Sequence, residues 1–150
     1  MKKILIMHVP NINLTGKREP NQYGTTSYAQ MIIEFVDYAE EQGMSCYIFH
    51  SNHKGELIDK LHDSIGVYDG MVLNAGAYTH YSYAIRDALA SIIVPKVEIH
   101  ISDITKREEF RKVSVTAPVC DKQIYGQGLP GYLQAIDFVI EEVQRRQHNA

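Results

Sequence analysis

"KILIMHV", residues 3–9, decides how the rest of the chain is read. With Lys2 and Lys3 at its start and Pro10 just beyond its end, it has the charged opening and apolar run of a secretory leader. The run is too short for one, and no small-residue cleavage site follows. The better reading is a first strand buried on both faces, because similar runs recur: "SCYIFH" (45–50), "GMVLNA" (70–75) and "KVEIHI" (96–101), with "KQIYG" (122–126) as a fifth candidate. Short apolar runs suit strands covered on both sides.

Helical patterns separate these runs. Ser27 and Gln30 form a capping box ahead of Met31, Ile32, Phe35, Val36 and Ala39, which recur on one helical face, and Gly43 ends that helix. Residues 55–65 place Leu57, Ile58, Leu61 and Ile65 at helical spacing, and residues 81–91 do the same with Ala84, Ile85, Ala88 and Leu89. Thr105 and Glu108 predict a second capping box and a short helix through Arg111. A last helix runs from Gly131 to about Arg146, with Arg145 and Arg146 where the helix dipole favours cations. Strands alternating with helices predict right-handed βαβ units. The expectation is an α/β, flavodoxin-like three-layer sandwich with a five-stranded parallel sheet in the order 2-1-3-4-5. The 150 residues suit one domain, 1–150, with no repeat or linker.

A net charge of −3 gives no basic surface for nucleic acid or an anionic membrane, and no stretch is long enough to span a bilayer. Cys46 and Cys120 stand alone in strand-like runs, as buried reduced thiols of a cytoplasmic protein would.

Ligands of such sheets bind beyond the carboxyl ends of the strands. The connection after strand 1, "NINLTGKREPNQYG" (11–24), is far longer than the roughly 2–6 residues usual there, as lids and binding loops are. It carries Arg18 and Tyr23 between Pro10 and Pro20, with Gly16 and Gly24 as hinges. Asn74 and His80 follow strand 3. On strand 4, Lys96, Glu98 and His100 share a face that should be apolar. A carboxylate beside an imidazole near a strand end holds that ring in one tautomer. Arg107 and Arg111, four apart, suggest an anion or hydroxyl clamp beside His100, where backbone N–H groups after Ile101 also receive a carboxylate. A cation favours the phenolate of a tyrosine; lowering its pKa from about 10 by about 3 units takes roughly 4 kcal/mol. A phenolate base and an imidazole acid are the two halves of an elimination beside a carbonyl.

"PNINLTGKREPNQYG", "SNHKGELID", "LNAGAYTHYSYAIRDAL" and "VEIHIS" with "REEFR" resemble the type II 3-dehydroquinate dehydratases, in order and over nearly the whole chain. The resemblance implies a flavodoxin-like fold, a dodecamer of four trimers and no metal or cofactor. It implies anti elimination of water from 3-dehydroquinate through an enolate, in aromatic biosynthesis or in quinate breakdown. Carried over, Tyr23 is the base at C2, Arg18 lowers its pKa, and His100 is the acid at the C1 hydroxyl. Asn11 helps hold the water that stabilises the enolate. Asn74, His80, Arg111 and the backbone at Ile101 and Ser102 bind the carboxylate and ring hydroxyls. Asp87 reaches a neighbouring subunit's site. Glu98, on the strand argument, orients His100. Val9, Thr15, His50, Lys54 and Tyr81 depart from the family's usual residues, and Val9 and Tyr81 bear on the pocket's shape.

Three rival readings stand beside this one. "GQGLPG" (126–131) fits a dinucleotide-binding Gly-x-Gly-x-x-Gly by the letter, but a turn before the last helix explains it better, since no strand follows to complete a βαβ unit. A non-catalytic sensor of a cyclic polyol acid would use the same pocket, without needing both Tyr23 and His100. A metal site at His50, His53 and His62 has no motif joining the three.

Overall fold

Side-chain alternation along β1 (Lys2–His8) sets up both faces of the sheet: Ile4 and Ile6 point into one core, Leu5 and Met7 into the other, all fully buried. The structure, a computed structural model, describes residues 1–9, 11–14, 16, 17, 21 and 25–149. Arg18 and Tyr23 lie outside the described residues, and so does half of the segment expected to act as a lid.

β2 (Met44–His50), β3 (Gly70–Asn74), β4 (Lys96–His100) and β5 (Lys122–Tyr125) join β1 in one sheet, ordered β2-β1-β3-β4-β5 with every neighbouring pair parallel. The predicted flavodoxin-like order is the observed one. α1 (Tyr28–Glu41) and α4 (Pro130–His148) cover one face through Met31, Phe35, Tyr132 and Ile136. α2 (Lys54–Ser64) and α3 (Tyr83–Ala90) cover the other through Leu57, Leu61, Ile85 and Leu89. Each large apolar side chain buried this way contributes about 1.5–3 kcal/mol.

The Ser27–Gln30 capping box forms as expected. The one at Thr105 does not. The Asp103 side chain accepts from the Thr105 N–H and hydroxyl, so Thr105 is consumed by an earlier cap of a stronger capping type. Two 3₁₀ turns result, Ile104–Lys106 and Glu109–Lys112, separated by extended backbone at Arg107 (φ −104°, ψ −156°). The helical spacing expected of Arg107 and Arg111 is therefore absent.

"GQGLPG" is a turn. Gly126 (φ 74°) and Gly128 (φ 63°) take left-handed backbone that favours glycine, and their N–H groups donate to the carbonyls of Ser102 and Ile101. α4 follows, with no later strand among the described residues. Cys46 packs into the α1/α4 core and Cys120 into the α2/α3 core; both are free thiols, and burial pushes each up to about 12. No helix among the described residues is long and apolar enough to cross a membrane.

Candidate active site

The carboxyl ends of β3 and β4 open into a cavity of about 300 Å³, whose walls include Asn11, Asn74, His80, His100, Ile101, Ser102, Arg107 and Arg111. That volume is at the lower end for small-molecule clefts, about 300–1,000 Å³. Seven of the residues singled out from sequence thus line one space, and Asn11 joins them from beyond β1. Asn11 is the only non-glycine residue with a left-handed backbone (φ 73°) among those described; its N–H donates to Asn52 Oδ1 at 3.1 Å. Such strain persists where surrounding contacts enforce it, commonly at functional sites.

His100 Nε2 lies 2.9 Å from Glu98 Oε2, both residues almost fully buried. A carboxylate only accepts, so Nε2 carries the hydrogen and Nδ1 is the nitrogen left for chemistry. Burial alone would push the Glu98 pKa up. The hydrogen bond and charge of His100, with bonds from Thr116 and Gln123, outweigh it and bring the group down to about 2. Two segments make this polar face tolerable: hydroxyls of Thr79, after β3, and of Ser114 and Thr116, ahead of β5, all reach the carboxylate.

His80 stacks on His100 with ring centroids 6.5 Å apart, and its Nδ1–H donates to the Val113 carbonyl at 2.6 Å. Burial lowers its pKa, and His100 and Arg111 push the same way, which favours a neutral ring with a lone pair on Nε2. Asn74 is pinned from both ends: Nδ2 donates to Tyr132 Oη and Oδ1 accepts from Gly76 N–H, each at 3.0 Å. Arg107 Nη1 donates to Ser102 Oγ at 3.3 Å, and the Arg111 Nε–H donates to Glu108 while its guanidinium lies 4.8 Å from the Phe110 ring. Despite the broken helix, both arginines face the cavity. Asp87 is exposed on α3 and outside this cavity. His50, His53 and His62 do not converge, and among the described residues no group of three or more His, Cys, Asp or Glu side chains is placed to hold a metal.

The family model for dehydroquinase class II matches residues 2–140. The chain belongs to the class II dehydroquinase family. A 3-dehydroquinate dehydratase of Thermotoga neapolitana is 52% identical over 137 residues, covering 91% of this chain and 93% of the relative. The crystal structure of the type II dehydroquinase of Butyrivibrio crossotus superposes with a TM-score of 0.90 at 48% identity, covering 92% of this chain and 97% of that one. The type II dehydroquinase of Propionibacterium acnes gives 0.91 at 33% identity, covering 94% and 97%.

Within this dehydroquinase fold, reading along the sequence missed Thr79, Ser114, Thr116, Gln123 and Tyr132. Thr79 lay inside a motif already quoted. The others belong to segments remote in sequence from the residues they contact, and no spacing rule links them.

Proposed function

We propose that the protein dehydrates 3-dehydroquinate, as the names of its relatives indicate for them, and that the product is 3-dehydroshikimate. The observation that carries this reading is the buried Glu98–His100 pair opening onto a cavity lined by Arg107, Arg111 and Asn74. An imidazole with one nitrogen fixed by a carboxylate presents the other as a proton donor, and the two guanidiniums suit a carboxylate-bearing ring.

Tyr23, made acidic by Arg18, takes the proton from C2, and charge passes to the C3 carbonyl oxygen. Asn11 helps to hold the water that stabilises that enolate. The enolate collapses and expels the C1 hydroxyl, which His100 protonates from Nδ1, so that water leaves on the opposite face. Tyr23 ends protonated and His100 deprotonated, and solvent restores both. Asn74, His80, Arg111 and the backbone at Ile101 and Ser102 bind the carboxylate and ring hydroxyls. Asp87, exposed on its own subunit, completes a neighbour's site in a trimer, four of which make a dodecamer. The two free thiols suit the cytoplasm.

The test is the absorbance of the conjugated enone formed from 3-dehydroquinate by purified protein, with chelator present and no nicotinamide. Product formation is expected. Binding of dehydroquinate without product would establish a sensor instead.

A further inference from the structure

Glu98 is held by far more than the imidazole it orients. Thr79 Oγ1 donates to Oε1 at 2.8 Å, Thr116 Oγ1 donates to the same oxygen, and Ser114 Oγ lies 2.9 Å from both oxygens. Gln123 Nε2 donates to Oε2 at 2.7 Å, beside the His100 Nε2–H. Five donors thus meet a carboxylate with roughly four lone-pair positions, so the charge is saturated. Ser114 is itself fixed by the Ala117 N–H at 3.0 Å, and Gln123 is the register partner of Glu98 on β5. None of the four extra donors but Thr79 belongs to a segment that carries a proposed chemical role.

A buried carboxylate bonded to His100 alone would be a strong acceptor. It would either draw the Nε2 proton onto itself, leaving a neutral pair, or hold the imidazolium so firmly that Nδ1–H becomes a poor acid. Each further donor disperses the negative charge and weakens that pull. We propose that Thr116 and Gln123 are positioning residues that act through Glu98 on the proton of His100, keeping the carboxylate an orienter and preventing it from acting as a base. This rests on the reading of His100 as the acid.

The other ionisable groups around the pair are His80, Arg107 and Arg111 at the cavity, Tyr125 beside His100 in the sheet, and Lys96 and Cys120 behind Glu98. All of them stay in place in the variants below, so a change there reports the cage.

The experiment uses the intact chain labelled with ¹⁵N-histidine. The imidazole Nε2–H resonance of His100 is assigned by its loss in His100→Gln. Thr116→Val and Gln123→Leu each remove one donor at nearly constant volume, while Thr116→Ser keeps it. With fewer donors, Glu98 pulls harder on the Nε2 proton. The resonance is therefore expected further downfield in Thr116→Val and in Gln123→Leu, and back at the wild-type position in Thr116→Ser. With dehydroquinate, kcat is expected to fall about fivefold or more in the two depleted variants while KM stays within about twofold, the effect of one hydrogen bond lost in the transition state only. An unmoved, upfield-shifted or missing resonance, or a Thr116→Ser protein that behaves like Thr116→Val, overturns the inference. The resonance is read without substrate. A wild-type protein that makes no enone would therefore sink the proposed reaction and leave the cage tested on its own.

Discussion

His8 and His50 stand side by side at the carboxyl ends of β1 and β2, paired in register, and among the described residues neither Nε2 has a partner. His8 is fully buried, with Tyr28 and Tyr132 rings edge-on at 5.5 Å each and its Nδ1 3.2 Å from Tyr28 Oη. Burial, with His50 adding to it, pushes the His8 pKa down to about 3, and burial pushes the Tyr28 hydroxyl up to about 12. This corner of the fold admits only a neutral imidazole.

That neutrality makes stability depend on pH. An unfolded histidine titrates near 6.5, well above the folded value of about 3. As pH falls through 6.5 the unfolded chain takes up a proton that the folded chain refuses, so stability is full above 6.5 and drains away towards 3. Between pH 6.5 and 5 the loss is about 2 kcal/mol. His8→Asn leaves a smaller, non-titrating side chain. It is expected to be less stable than wild type at pH 7.5 yet to lose less on moving to pH 5, as measured by urea unfolding. Parallel losses in the two proteins would show that His8 is not the group responsible.

Much of the architecture was legible because it depends on local pattern. The four apolar runs and "KQIYG" all became strands within a residue or two of their expected ends, and the Ser27–Gln30 box formed because both members lie within one turn. The Thr105 box failed for an equally local reason: Asp103 stood two residues upstream and accepted from both the N–H and the hydroxyl of Thr105. For the site, alternation on β4 revealed the Glu98–His100 pair, since a polar face on an inner strand needs a reason. What satisfies that face was not legible. Ser114, Thr116 and Gln123 reach Glu98 across 16 to 25 residues of chain, and Tyr132 reaches Asn74 across 58. Contacts at that separation are made by the fold and leave no period in the sequence.

At Gly70, β3 packs against Val139 of α4. A Cβ built there would sit 2.2 Å from Val139 Cγ1, in a core where Val139 is fully buried. Gly70→Ala is expected to destabilise the protein by about 1–3 kcal/mol, the usual cost of overpacking. Adding Val139→Ala removes the obstructing methyl and should recover part of the loss. A double variant as unstable as the sum of the two single ones would place the strain elsewhere.

The Tyr132 hydroxyl accepts from Asn74 Nδ2, and its pKa is raised chiefly by burial. Tyr132→Phe keeps the ring against Phe35, stacked at 4.3 Å, and deletes only the oxygen. Asn74 then retains the Gly76 bond but can rotate its amide out of the cavity. KM for dehydroquinate is expected to rise by about fivefold, the worth of one hydrogen bond, with Tm reduced only slightly. An unchanged KM would mean that Gly76 alone suffices to orient Asn74.

Glu98→Gln tests the carboxylate itself. Glutamine can keep its oxygen towards His100 and Gln123 and turn its NH₂ to the Thr79 and Thr116 hydroxyls, which can accept, so the variant removes chiefly the negative charge that supports a protonated His100. Loss of general-acid function is expected to lower kcat by about 10²-fold or more. The same substitution changes acid stability in a defined direction. In the unfolded chain Glu98 titrates near 4.5 and in the folded chain at about 2, so its contribution is full above pH 4.5 and disappears as pH falls through 2. The difference corresponds to about 3 kcal/mol at neutral pH. The wild-type protein should therefore lose more stability than the glutamine variant between pH 5 and 2.5, and urea unfolding of both across that range measures it. Equal losses would mean that Glu98 is protonated in the native protein, and its role as a charged partner of His100 would fall with it.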